Sequence, residues 1–333
     1  MIDKYVKAVI GNIRISGGTF DTVYFGGGTP SLLSGRQIGD ILSAADIAEG
    51  AEISAEINPD SADTDKLRDF RAAGINRISI GIQSLDDREL EILGRLHNSE
   101  QAEKAVLSAQ KAGFENVSAD LMLGLPYQLT ETVLQNIGKL AELGVKHISA
   151  YMLKIESGTP LSKNDELISN IADDELSADM YLDAVSCLEK NGFQQYEISN
   201  FAKEGYECRH NLKYWRCADY LGIGPSAHSC TGGRRFAVPK DIYGFISNEK
   251  QEETVTDDAP CGLSERFMLA LRLSEGFLLS DAGEYANRLR NAAVPMEKNG
   301  LLKIKDGRIM LTPTGFLVSN QIICRLSELM EEG

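Results

Sequence analysis

The sequence predicts an α/β protein: a partial parallel (β/α) barrel followed by a small winged-helix-like domain. Three observations carry that expectation. Short apolar strands alternate with amphipathic helices from about residue 23 to residue 153, the helices end at glycines (Gly74, Gly113, Gly144), and the strands have two unlike faces. Glycine just past a helix takes the left-handed backbone that stops it and turns the chain into the next strand. Units of this strand-helix-strand kind build right-handed parallel sheets.

Taken in order, Tyr5, Val6, Val9, Ile10 and Ile13 recur at helical spacing until Ser16-Gly-Gly18 breaks the pattern. The helix reads as the end of a longer one, as if the chain began in mid-course. Val23-Tyr-Phe-Gly-Gly-Gly-Thr-Pro-Ser-Leu-Leu33 is then an apolar strand running into three glycines, where backbone groups can approach a ligand closely. By itself such a triplet is no more than a turn; the following strands give it meaning. A helix from Ser34-Gly35 through Ala45 precedes strand Glu52–Ile57, closed by Asn58-Pro59. Helix 63–73, strand 77–83, helices within 86–111, strand 116–123, helix 131–143 and strand 146–153 follow. An acidic helix over 173–189 and a further strand over 193–198 complete the first part. The domain boundaries expected are 1–200 for the barrel, 201–260 for a loop-rich connection and 261–333 for the last domain. In that last part helix 264–273 and a helix capped by Leu279-Ser-Asp281 precede Val294-Pro-Met-Glu-Lys-Asn-Gly300, read as the lead into a hairpin. The hairpin joins 301–305 to 308–312 through Asp306-Gly307, and a last helix spans 315–329.

Composition limits the function. The chain has 333 residues, 43% of them hydrophobic and 25% charged, with a net charge of −15. Such a balance gives no electrostatic footprint for nucleic acid. The acidic terminal segment Leu326-Ser-Glu-Leu-Met-Glu-Glu-Gly333 likewise makes the winged-helix-like unit a structural or partner-docking appendage and not a DNA reader. No apolar run reaches transmembrane length and no signal-peptide pattern opens the chain, so a cytoplasmic protein is expected. The six cysteines, Cys187, Cys208, Cys217, Cys230, Cys261 and Cys324, contain no C-x-x-C pair and read as free thiols. Cys208, Cys217, His228 and Cys230 lack the spacing of a structural zinc site, so no metal ligand is assigned. The oligomeric state is not indicated.

Alternation along the strands carries the functional argument, because residues two apart share a face. One face is aliphatic: Ile53, Ala55, Ile57; Ile78, Ile80, Ile82; Val117, Ala119, Leu121; Ile148, Ala150, Met152. The other holds Ser54, Glu56, Ser79, Gly81, Gln83, Ser118, Asp120, Ser149 and Tyr151. An ordinary (β/α) barrel fills its lumen with large branched side chains. A small, polar lumen instead suits a polar ligand at the carboxyl ends of the strands, since unpaired buried polar groups cost about 1–3 kcal/mol each.

Phe25-Gly-Gly-Gly-Thr-Pro-Ser31, Ala55-Glu-Ile-Asn-Pro59, Asn76-Arg-Ile-Ser-Ile-Gly-Ile-Gln-Ser84, Leu93-Gly-Arg-Leu-His97 and Asp120-Leu-Met-Leu-Gly-Leu-Pro126 resemble the radical S-adenosylmethionine enzymes related to oxygen-independent coproporphyrinogen III oxidase. His210-Asn-Leu-Lys-Tyr-Trp215 and Tyr220-Leu-Gly-Ile-Gly-Pro-Ser-Ala-His228 resemble the haem-chaperone branch of that family, HemW. The resemblance covers nearly the whole chain. It implies a barrel of the radical S-adenosylmethionine type. It further implies that Gly28, Thr29 and Pro30 line the S-adenosylmethionine site with backbone groups, Glu56 holds its polar groups, and Gln83, Arg95 and Asp120 complete the pocket. A carboxylate accepts from ammonium or hydroxyl groups, an amide donates and accepts, and a guanidinium pairs with a carboxylate. For His210 a hydrogen-bonded structural role is the reading from the residue alone; the resemblance implies haem contact, with delivery of haem to acceptor proteins. His97 and His147 read as structural.

One departure from the family is large. Its [4Fe–4S] cluster sits on three cysteines spaced C-x-x-x-C-x-x-C before the glycine strand, and here no cysteine precedes Cys187. The first barrel strand is missing with it. Two explanations are open, and the first is favoured: Met1 is an internal methionine of a longer protein, or the chain is a remnant without radical chemistry. No catalytic residue is assigned, and enzyme activity stays an open expectation. The alternatives to a haem chaperone are a coproporphyrinogen oxidase, which needs the absent cysteines, and a non-catalytic scaffold.

Overall fold

Residues 1–331 are described by the structure, a computed structural model. Glu332 and Gly333, the end of the acidic terminal segment, lie outside the described residues. The first half alternates as its sequence implies: α1 (Ile2–Ser16), β1 (Thr19–Phe25), α2 (Gly35–Leu42), β2 (Asp46–Ile57), α3 (Thr64–Ala73), β3 (Arg77–Gln83), α4 (Asp87–Ile92), α5 (Ser99–Lys111), β4 (Asn116–Leu123), α6 (Thr130–Glu142) and β5 (His147–Met152). Short helix α7 (Asp165–Ser169), long helix α8 (Asp174–Lys190) and strands β6 (Gln194–Glu197) and β7 (Asn200–Ala202) follow. Seven strands make one sheet in the order β1-β2-β3-β4-β5-β7-β6. Pairing from β2 to β5 is parallel, giving the partial barrel expected. The end of the sheet differs from expectation. The single strand foreseen over 193–198 is one arm of an antiparallel hairpin, with β7 pairing antiparallel to both β5 and β6.

Two compact units divide the chain: one holds Phe25–Leu32 and Ile53–Glu207, the other Met1–Tyr24, Leu33–Glu52 and the chain from Cys208 on. In the strand-rich unit, Ile78, Ile80, Ile82, Val117, Ala119, Leu121 and Ile148 are sealed, and α5 and α8 pack on these strands. Each fully buried isoleucine contributes roughly 1.5–3 kcal/mol. The helices begin and stop where local chemistry requires. Asp63 caps α3 by accepting from the Lys66 N–H, and Gly74 ends it with φ 117°.

The other unit contains α9 (Arg209–Trp215), a three-stranded antiparallel sheet of β8 (His228–Thr231), β9 (Arg234–Ala237) and β10 (Thr254–Asp257), and α10 (Ile242–Ser247) beside α1. That sheet is absent from the sequence reading, in which 201–260 is loop-rich. Helix α11 (Leu263–Ala270), strand β11 (Phe277–Leu278), helix α12 (Ala286–Lys298), hairpin β12 (Leu302–Lys305) and β13 (Arg308–Leu311), and helices α13 (Pro313–Leu317) and α14 (Ser319–Glu331) follow in winged-helix order. Asp306 and Gly307 take φ of 52° and 75°, as the two-residue hairpin turn requires. Two boundaries differ: Val294-Pro-Met is helical, with Pro295 inside α12, and the last helix is interrupted at Val318.

Candidate functional site

Within the strand-rich unit, the carboxyl ends of β2, β3 and β4 open into a cavity of about 240 Å³. All seven residues expected to hold S-adenosylmethionine line it: Gly28, Thr29, Pro30, Glu56, Gln83, Arg95 and Asp120. Parallel register explains much of this. Glu56 lies beside Ser79 across β2 and β3, and Asp120 beside Ser149 across β4 and β5, so side chains of one parity converge.

The remaining groups arrive by special backbone geometry. Gln83 has φ 70°, and the β3–β4 register slips between Ile80 and Gln83. A non-glycine residue in that region is strained, and here the bulge brings the amide to the cavity. Arg95 comes from a loop. Gly94 sits past α4 with φ 64°; its N–H donates to Glu91 O at 2.9 Å, and the Arg95 N–H donates to Leu90 O at 2.9 Å. This paired glycine cap fixes the direction in which the chain leaves the helix and puts Arg95 on the cavity wall. Gly27, with φ 80°, donates its N–H to Glu56 Oε2 at 3.3 Å. At Gly28 no heavy atom lies within 4 Å of where a Cβ would stand, so this backbone faces open space.

The electrostatics are distinctive. Burial pushes the Asp120 carboxyl up to about 6; Ser149, Arg77 and Ser79 pull it back, while Glu56 adds to the rise. Ser79 Oγ donates to Asp120 Oδ1 at 3.3 Å. Burial lowers the Arg95 guanidinium from its ordinary value, against the opposing pull of Asp120 and Asp60. Burial, then the charge of Asp120, pushes the Tyr151 phenol up to about 12, so it remains a donor. Two carboxylates, a guanidinium, an amide and an open glycine backbone fit a ligand carrying both cationic and carboxylate groups. Ser54, in the same strand as Glu56, has a buried hydroxyl with no hydrogen-bond partner among the described residues.

The same residues do not fit an iron–sulfur cluster. Cys187 is the one cysteine between residues 53 and 207, and its thiol donates to Leu134 O at 3.9 Å. Thiolates are what such a cluster needs, and the pocket offers none.

His210 lies in the other unit, on α9. Its Nδ1 is 2.9 Å from Thr22 Oγ1 and its Nε2 2.9 Å from Tyr214 Oη. Tyr24 stacks on the ring at 5.1 Å, and Tyr214 meets it edge-on at 5.3 Å. Buried Glu52 holds the start of α9, accepting from the N–H groups of Arg209 and His210 at 3.0 Å each. Sequence reading found His210 and Tyr214 but missed Thr22, Tyr24 and Glu52. Carrying the two-residue alternation back from Glu56 would have marked Glu52 as a polar strand position; Thr22, 188 residues from His210, left no signal.

His97 and His147 are inside the strand-rich unit. His97 Nε2 is 3.1 Å from Ile82 O; His147 lies between Ser118 Oγ at 2.8 Å and Tyr196 Oη at 2.9 Å. Burial holds the His147 imidazole well below its ordinary value, so it stays neutral. Of the residues weighed for zinc, Cys208 lies by Glu52, whereas Cys230 meets Cys261.

A family model for the radical SAM superfamily matches residues 1–140, and one for the HemN C-terminal domain matches residues 262–318. Radical S-adenosyl methionine domain-containing protein 1, mitochondrial, of Bos taurus is 43% identical over 253 residues, covering 74% of this chain. The chain spans 56% of that relative's length. The heme chaperone HemW of Escherichia coli (strain K12) is 36% identical over 290 residues, covering 82% of this chain and 75% of that protein. Among solved structures, coproporphyrinogen III oxidase (HemN) from Escherichia coli superposes with a TM-score of 0.79 at 19% identity, covering 98% of this chain and 82% of the other. That likeness speaks to the fold.

Proposed function

Because the chain belongs to the HemW family of radical S-adenosylmethionine proteins, we propose that it binds S-adenosylmethionine in the strand-end pocket and binds haem for delivery to acceptor proteins in the cytoplasm. The observation that carries the first half is the donor set around the cavity, Glu56, Gln83, Arg95 and Asp120 beside open glycine backbone. The sulfonium ligand would bring positive charge to Glu56 and Asp120 and an α-carboxylate to Arg95. When bound with an iron–sulfur cluster it supplies a radical; the residues of this chain do not fit that cluster and support binding alone. Among the described residues no helix is long and apolar enough to cross a membrane.

Haem is cargo in this reading, with His210 as its contact. Iron at Nε2 requires Tyr214 to give up its hydrogen bond, and Tyr214 is 41% exposed, which leaves its ring room to turn outward. Titration calorimetry with S-adenosylmethionine tests the pocket: Glu56→Gln should weaken binding ten- to hundredfold, the range for losing a charged hydrogen-bond partner. Unchanged affinity removes the pocket from the account. Titration of haem followed by its absorption band tests the other half. His210→Ala should weaken binding about tenfold or more and Tyr214→Phe, by freeing Nε2, should tighten it by about twofold to fivefold. Equal affinities in all three proteins would reject His210 as the contact.

A further inference from the structure

We propose that Cys230 and Cys261 form an oxidative modification site, a dithiol that a peroxide or a low-molecular-weight disulfide converts to a reversible disulfide, with Cys217 as the thiol that exchanges into it. The cysteines come from the segment after α9, from β8 and from the residues just before α11. Their sulfurs nevertheless converge. Cys230 Sγ and Cys261 Sγ are 3.9 Å apart, and the Cys217 thiol is near enough to both for each to influence its ionisation. The three thiols therefore form one cluster.

Backbone geometry at two of these positions is an independent observation. Cys217 has φ 51° and Cys261 φ 65°, the left-handed region that L-residues with a β-carbon rarely take. Such strain persists where the surroundings over-determine it, and it gathers at working sites. A glycine would relieve it at either place, yet a thiol stands at both. Around Cys261 the scaffold is fixed by charge: Glu265 accepts the Cys261 N–H at 2.6 Å and an Arg235 hydrogen bond at 2.6 Å, and Arg235 also faces Asp257. Cys230 is held in turn by both backbone bonds it exchanges with Tyr220. Among the described residues no group of three or more His, Cys, Asp or Glu side chains is placed to hold a metal ion.

The chemistry balances with either oxidant. With a peroxide, one thiolate attacks the O–O bond, giving a sulfenic acid and water; the second thiol displaces the hydroxyl as water, so two thiols and one hydrogen peroxide give one disulfide and two waters. With a glutathione-type disulfide, two successive exchanges release two small thiols. Cys217 exchanges into the bridge by attacking Cys261 Sγ, which forms a Cys217–Cys261 disulfide and releases the Cys230 thiol; two equivalents of a low-molecular-weight thiol then restore the free thiols and leave as their own disulfide. Burial raises all three thiols above their ordinary value. The thiolate is the nucleophile, so oxidation is slow at neutral pH and accelerates with alkalinity.

The test uses the full chain with Cys324→Ser, which removes the exposed thiol. The protein is treated with hydrogen peroxide or oxidised glutathione, alkylated, and mapped by non-reducing peptide mass spectrometry. The proposal expects loss of two hydrogens, a Cys230 to Cys261 cross-link reversed by dithiothreitol, and a rate rising roughly tenfold per pH unit between pH 7 and 9. In Cys230→Ser the cross-link should move to Cys217 and Cys261. Unmodified protein provides the decisive reading without any core variant. Cys230 and Cys261 staying fully alkylatable overturns the proposal, as does a tightly bound thiophilic metal that must be chelated before the thiols react.

Discussion

The strand-end pocket and the surroundings of His210 are both polar clusters with aromatic or aliphatic walls, but they are assembled by opposite means. In the pocket, Glu56, Ser79 and Asp120 come from adjacent parallel strands, and the sheet register alone places them together. At His210 the partners Thr22, Tyr24 and Glu52 come from distant segments and meet the start of a seven-residue helix. The first is a property of the sheet and tolerates loss of a single side chain. The second depends on one carboxylate holding a short helix in place. Three substitutions sharpen or break that contrast.

Asp120→Asn has the largest expected effect and tests whether the pocket is a strained, ligand-ready surface. The ordinary carboxyl value is 3.8, and in the fold it stands at about 6. The folded state thus holds this proton more tightly than the unfolded chain. Below about pH 4 both states are protonated and nothing is lost; between about 4 and 6 the penalty for ionisation grows, and above 6 it is fully present. The amide removes the charge. It should stabilise the protein at pH 8 by up to about 3 kcal/mol, a gain that vanishes at pH 4, while S-adenosylmethionine affinity falls. Urea unfolding at both pH values checks this; a stability difference independent of pH would contradict the account. The wild-type protein should likewise lose affinity for the cationic ligand as pH drops through 6, because protonated Asp120 no longer attracts it.

Glu52→Ala is the corresponding test at His210, with a stability loss of about 1–2 kcal/mol, the usual scale for removing a helix cap. Two backbone donors at the start of α9 lose their acceptor. Since the His210 ring rides on that turn, haem affinity should fall in step with stability, unlike the pocket, where Asp120→Asn separates the two. Thermal unfolding and haem titration on the same preparation check it. Weakened haem binding at full stability would make Glu52 a haem contact and dissolve the contrast.

The difference in assembly also explains what was legible in the sequence. Alternating strands and helices, glycine stops and the polar strand face gave the partial barrel and set Glu56 and Asp120 on one polar face, because period two and helix capping hold there; Gly28, Thr29, Pro30 and Arg95 were marked only by the family resemblance, and Gln83 reaches the cavity through a bulge that alternation does not show. The β6–β7 hairpin was read as one strand: pieces of four and three residues are too short for alternation to speak. The β8–β10 sheet passed as loop for the same reason, its strands being four residues each. Pro295 reads as a helix breaker, yet it sits inside α12 beside buried Ala293 and Met296, so packing of that face overrides the local preference. Thr22 was illegible in principle as a partner of His210, since only the folded chain brings the two together.

Gly94→Ala has the smallest effect and separates reach from register within the pocket itself. Gly94 takes φ 64°, and no heavy atom lies within 4 Å of the position a Cβ would occupy, so alanine meets no clash there. Its cost is conformational, about 1 kcal/mol for holding an L-residue in the left-handed region. Arg95 follows directly and owes its direction to this cap, whereas Glu56 and Asp120 owe theirs to the strands. The variant should lose S-adenosylmethionine affinity by about threefold to tenfold in calorimetry. The Asp120 titration should keep its place at about 6, since burial, Ser149 and Arg77 set it. Gly94→Asn, whose side chain tolerates this backbone, should recover most of the loss. If both variants bind like the wild type, Arg95 reaches the ligand without help from the cap, and the pocket is set by the sheet alone.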